Sequence, residues 1–146
     1  MNSQNVALVS MVLGDKVGEE QQFFILQQCQ NLDDNLTPSL TSMVNGQFKS
    51  PITGLLLQAF LGIFSIGRFY KGDILVGVMC WIFLVFLVLL GSNISYNEDA
   101  EVMLGLFFGF YILFVYVDCY FIYKGIQKDN FNKFQNFLLY SKNNKL

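Results

Sequence analysis

Polar and apolar positions recur at helical spacing over the first 48 residues, then give way to long apolar runs between Ile52 and Tyr123. Val6, Val9 and Leu13 recur every three to four positions and stop at Gly14, which predicts a first short helix. Glu19 and Glu20 open a second, carried by Phe23, Phe24 and Leu26 toward Leu32; acids in a first turn suit the positive end of the helix dipole. Asp33-Asp34-Asn35 offers caps for a third piece through Leu36, Leu40, Met43 and Val44 to Gly46. Helices this short are marginal alone in water. Residues 1–48 are therefore expected to pack on one another, on a membrane surface or on a protein partner.

Pro51 marks a boundary, and three apolar stretches follow, 52–67, 74–91 and 102–123. The first is flecked with Thr53, Gln58 and Ser65. As one helix it would reach about 24 Å at 1.5 Å per residue, short of a hydrocarbon core about 30 Å thick. It is either a short crossing that continues helically through Arg68-Phe69-Tyr70 or a buried re-entrant segment. Ile74–Gly91 has no charge and reads as a crossing, and Gly91-Ser92-Asn93 breaks the chain after it. Val102–Tyr123 holds one ionisable carboxylate, Asp118, and gathers tyrosines at its end, as a membrane–water interface favours. Beyond Lys124-Gly125, the face formed by Phe131, Phe134 and Leu138 predicts a separate amphipathic helix on the membrane surface.

Composition turns this pattern into a class. The chain is 53% hydrophobic and only 14% charged, against about 25% charged in ordinary soluble domains. The expected fold is all-α: an integral membrane helical bundle of two or three transmembrane segments, with short N-terminal helices and an amphipathic C-terminal one. The expected domains are 1–48, 49–125 and 126–146. Net charge is −2, which gives no footprint for nucleic acid. Histidine is absent, and Cys29, Cys80 and Cys119 are far apart without a CxxC pair. With no nucleophile–base set, phosphate loop or metal cluster, the pattern predicts no enzyme, no cofactor and no metal site.

Charge also orients the chain. Residues 1–51 carry two lysines against five acids, Glu98, Asp99 and Glu101 have no base nearby, and five lysines against two aspartates lie from Asp118 onward. Lys124 and Lys128 favour a cytoplasmic C-terminus. Three crossings would then place residues 1–48 outside, by export without a cleavable signal. A re-entrant first segment would leave both ends in the cytoplasm.

The most specific element is Phe60-Leu61-Gly62-Ile63-Phe64-Ser65-Ile66-Gly67-Arg68-Phe69-Tyr70-Lys71-Gly72-Asp73. In physical terms, Gly62 and Gly67 permit close backbone approach or a bend. Arg68 is long enough to snorkel to phosphates, Phe69 and Tyr70 suit the headgroup zone, and Gly72 permits the turn into the next helix. Asp118, costly inside an apolar run, is the natural partner for Arg68, in an ion pair that closes the bundle; the alternative is a carboxylate reaching headgroup water unaided. Gly105-Leu106-Phe107-Phe108-Gly109 is a GxxxG, read as packing within the chain or, in second place, as a dimer contact.

The segment from Phe60 to Gly72 resembles the signature of the two-transmembrane (TM2) domain family. Lys49-Ser50-Pro51, Val117-Asp118 with Phe121-Ile122-Tyr123-Lys124, and the 128–133 tail are similar to bacterial members. The resemblance covers residues 49–135. It departs at Gly67, where the family has Asp or His, and in an extra length of about 20 residues around Asn93–Glu101. It implies a bacterial inner-membrane protein, a structural or protein-interaction module with no defined biochemical activity. Gly62, Arg68, Phe69, Tyr70, Gly72 and Asp118 would be its motif residues. The expected partners are the lipid bilayer, a protein met through residues 1–48, and a second copy of the chain. The rival reading is an oligomeric channel or transporter component in which Arg68 and Asp118 line a polar pathway.

Overall fold

The computed structural model describes residues 3–31, 34–93 and 98–143. Its helices are α1 (Ser3–Leu13), α2 (Glu19–Gln30), α3 (Thr37–Gln47), α4 (Pro51–Leu61), α5 (Ile66–Lys71), α6 (Ile74–Asn93) and α7 (Glu98–Asn143), and no strand occurs among the described residues. Short 3₁₀ turns at Asp34–Leu36 and Gly62–Phe64 precede α3 and α5. The capping role read for Asp33 lies outside the described residues. So do residues 94–97, between the second and third apolar runs.

Two compact units divide the chain, one of Met1–Pro51 with Lys124–Leu146, the other of Ile52–Tyr123. In the first unit the helices begin and end where local chemistry asks. The Gly14 amide bonds to the Ser10 carbonyl at 3.2 Å to close α1. Glu19 and Glu20 sit in the first turn of α2, where the Gln21 side chain accepts the Gly18 N–H at 3.2 Å. Pro38 lies at the start of α3, where a missing N–H costs nothing. The three helices bury Val9, Leu13, Ile25, Cys29, Leu40 and Val44 in one core.

That core also takes Phe134 and Leu138 from α7, with Phe131 packed against it and edge-on to Phe24 at 5.8 Å between ring centroids. This corrects the expectation of a separate tail helix on the membrane surface. The apolar face of the tail is covered by residues of the N-terminal region, so segments expected as domains 1–48 and 126–146 form one unit. The break expected at Lys124-Gly125 is also missing, since α7 runs through it. One glycine costs a helix roughly 0.5–1 kcal/mol. Ile126, Asn130, Phe134 and Leu138, four residues apart and all buried, outweigh that cost by burial.

The second unit reverses the usual distribution of apolar side chains. Its small core is Leu87, Tyr111 and Val115, with Leu84 and Leu104 against it. Meanwhile Leu75 is 78% exposed, Phe110 70% and Ile74 64%. Helix α6 continues through Gly91 and Ser92, which had been expected to break it, and an added methyl on Gly91 would stand 3.0 Å from Leu104. A second correction concerns 52–67, which is not one helix: α4 stops at Leu61 after 11 residues, about 17 Å of rise.

Candidate functional site

The site begins at the break after α4. Ser65 adopts the left-handed conformation, φ 55° and ψ 29°, and is the one described non-glycine residue with positive φ. Its effect is to fold α5 back along α4. A methyl added to Gly67 would lie 2.7 Å from Gln58 Cβ and 3.0 Å from the Gly54 carbonyl oxygen. In an unbroken helix, residues 58 and 67 would be about 13 Å apart along the axis. The 52–67 stretch therefore turns back on itself instead of running on as one helix. Gly62 makes the turn fit, because any Cβ there would collide with Val115 of α7. Tyr111 ties the same turn down, its hydroxyl donating to the Ile63 carbonyl at 2.8 Å.

The fold-back brings Arg68 to Asp118. Arg68 Nε donates to Asp118 Oδ2 at 2.9 Å and Nη2 donates to Oδ1, a two-bond fork. Gln58 Nε2 adds a third bond to Oδ2 at 3.1 Å. The Asp118 side chain is 2% exposed and that of Arg68 14%. Arg68 Nη1 turns to Asp73 Oδ2 at 2.8 Å, which also takes Lys71 Nζ at 2.6 Å. Burial by itself would raise the pKa of Asp73, yet the donors Lys71 and Arg68 outweigh it and hold this carboxyl below its ordinary range. Two cations and two anions thus form one neutral group. Arg68 spends its donors on carboxylates rather than snorkelling to phosphates, which corrects that part of the motif reading.

The other motif residues take different places. Gly72, at φ 110°, ends α5, and its amide and that of Asp73 both bond to the Arg68 carbonyl at 3.0 Å. The Phe69 ring packs on α6 at Gly77, where an added methyl would stand 2.9 Å from it. Tyr70 is half-buried. Gly105 and Gly109 have open space where a Cβ would be, so the GxxxG does not serve the intrachain packing expected of it. Gln58, Asp73 and Ser65 are the site residues that the sequence reading passed over. Gln58 carried a usable signal, a strongly polar side chain within an apolar run. Its Oε1 is buried without a bonding partner and faces Gly67.

In the first unit, Asn130 plays a comparable joining role and is 1% exposed. Its Nδ2 donates to the carbonyls of Lys16 at 2.7 Å and Lys49 at 2.8 Å, and its Oδ1 accepts the Lys49 amide at 3.1 Å. Lys16 and Lys133 in turn donate to the Val44 and Gln47 carbonyls at the end of α3, a helix with no basic residue of its own in its last turn. Comparison with known family models, with characterised proteins and with solved structures finds no match.

Proposed function

We propose that this chain is a small integral membrane protein of the TM2-domain type, serving as a structural or protein-interaction module. The observation that carries the membrane reading is the outward apolar surface of two long helices. Both α6 and a stretch of α7 are long and apolar enough to cross a bilayer. A soluble protein would bury such helices, whereas here Leu75, Met79, Ile82, Val88, Phe110 and Leu113 are exposed. The first unit of the same chain instead gathers Val9, Leu13, Ile25, Leu40, Val44 and Phe134 in one buried core, with Met11 and Phe23 left exposed.

Helix α4 is too short to cross, and α5 folds back on it. The proposed topology therefore has two crossings, α6 and the 102–123 stretch of α7. All nine Lys and Arg residues fall outside 72–123, which favours a cytoplasmic C-terminus by the positive-inside rule and is compatible with a bacterial inner membrane. Exposed Met11 and Phe23 leave surface for a protein partner, and the bare backbone at Gly105 and Gly109 leaves room for a second copy. The Arg68–Asp118 pair supports a structural role over the channel or transporter reading. A pathway needs groups free to bind and release, while here both oxygens of Asp118 and every nitrogen of the Arg68 guanidinium are engaged within the chain.

Membrane fractions of cells expressing the full chain test the proposal. Retention through alkaline carbonate washing, with release only by detergent, is expected; release by carbonate would refute it. Ion or proton flux in proteoliposomes that disappears on Asp118→Asn would replace the structural reading with the transport one.

A further inference from the structure

We infer that both ends of this chain lie on one side of the membrane, where they build a single domain that neither end forms by itself. The inference rests on reading Ile74–Asn93 and the 102–123 stretch as lipid-embedded. The unit made of Met1–Pro51 and Lys124–Leu146 carries it. Asn130 is bonded to the backbone at Lys16 and at Lys49 across 2.7–3.1 Å. Lys133 Nζ reaches the Gln47 carbonyl at 2.6 Å. Phe134, with no exposure, shares one core with Val9, Leu13, Ile25 and Leu40. A hydrocarbon layer about 30 Å thick cannot lie between groups in such contact. Residues 16–49 and 130–134 are therefore on the same side, and the chain between them crosses an even number of times.

This conclusion is independent of the length of α4 and removes the topology in which residues 1–48 are exported. It agrees with the charges, since both ends then share their side with every Lys and Arg, opposite Asp99 and Glu101. It also gives the domain an order of assembly. Helices α1–α3 lack part of their core, and both cations capping the end of α3 lie outside it, one of them, Lys133, in the returning segment. The domain closes only after α7 has brought the chain back, so it acts as a clasp that forms on a correctly threaded two-pass chain.

Sidedness of labelling tests this on the full-length protein in sealed vesicles. In a Cys80→Ala, Cys119→Ala background, the Glu20→Cys, Lys128→Cys and Asp99→Cys variants are treated with a membrane-impermeant maleimide, from one face and then the other. All three positions are exposed. Glu20→Cys and Lys128→Cys are expected to label from the same face, with at least a tenfold preference, and Asp99→Cys from the opposite face. Opposite faces for Glu20→Cys and Lys128→Cys overturn the inference and leave the membrane reading standing. Labelling of all three from one face, or without any sidedness in vesicles shown to be sealed, overturns the membrane reading and the inference with it.

Discussion

Asp118 holds three hydrogen bonds from two side chains at 2% exposure, so removing either member of the Arg68–Asp118 fork takes two bonds from the other. Asp118→Ala leaves Arg68 Nε and Nη2 without their acceptor, with Asp73 still on Nη1, and breaking a buried pair from one side costs about 3–5 kcal/mol. A correspondingly lower unfolding temperature in detergent micelles is expected. Arg68→Lys keeps the charge but not the fork, and is expected to lose less, on the order of 1.5–3 kcal/mol. Replacing both at once, Arg68→Met with Asp118→Leu, should recover most of the loss of the single Asp118→Ala change; equal or greater instability would contradict a simple pair. Ser65 offers a conformational counterpart. At φ 55° a β-branched side chain is strongly strained, so Ser65→Val should lower the unfolding midpoint by about 1–3 kcal/mol, while Ser65→Gly should be tolerated. Arg68 and Asp118 were legible in the sequence because charge inside or beside an apolar run is costly and must be answered. Gln58 was legible by the same rule. Ser65 was not, since a serine gives no sign of a left-handed backbone.

Helix α4 and helix α7 depart in opposite directions from what their sequences suggest. Ile52–Gly67 looks continuous because apolar composition does not reveal where a backbone turns. The break goes with Gly62 meeting Val115 of distant α7 and with Gly67 meeting Gln58 of the same stretch, contacts that a linear apolar pattern does not show. In α7, Gly125 looks like a stop because the burial that carries the helix past it comes from the N-terminal helices. The periodicity of Phe131, Phe134 and Leu138 was correctly helical, but periodicity names an apolar face and not its partner. The remaining helix boundaries in the first unit follow local caps closely, with α1 closing at Leu13 and α2 opening at Glu19. Glycines with open space around them test the element scale directly. Gly46 lies in α3 with nothing within 4 Å of an added Cβ, so Gly46→Ala should stabilise the first unit by about 0.5–1 kcal/mol. Gly105→Ala and Gly109→Ala should leave the monomer's thermal midpoint unchanged or raised. If those two changes lowered it, α7 would pack within the chain at these glycines after all; if they shifted only the oligomeric state in micelles, the bare face would be a contact between copies.

At the scale of the whole molecule, an all-helical chain with two long apolar helices was readable from pattern and composition, whereas the joining of the two chain ends was not. No local pattern shows that Asn130 meets Lys16 and Lys49, because each segment is ordinary until the others are beside it. The joined domain carries its own reporter. Cys29 has no exposure in the core that α1–α3 share with Phe134 and Leu138, and burial pushes its thiol from an ordinary value of 9.0 up to about 11. At pH 8 the thiolate fraction is then about a hundredfold lower than for a free thiol, and the thiolate is the reactive species. In the Cys80→Ala, Cys119→Ala background, Cys29 should therefore resist a maleimide while the clasp is closed. The Phe134→Ala change removes a fully buried ring at a cost of about 3–5 kcal/mol. Asn130→Ala removes three hydrogen bonds to the Lys16 and Lys49 backbone. Both are expected to speed Cys29 labelling at least tenfold at pH 8, although the substitutions lie a hundred residues away in sequence. The pH dependence has a definite sign. A thiol with a raised folded value ionises more readily once unfolded, so its contribution to stability is present below about pH 9 and lost as pH rises toward 11. Labelling of the unaltered domain should then accelerate above pH 9 by more than thiol ionisation accounts for. A rate for Cys29 that neither substitution changes would mean that α1–α3 fold without the returning segment, and the clasp would be only a contact.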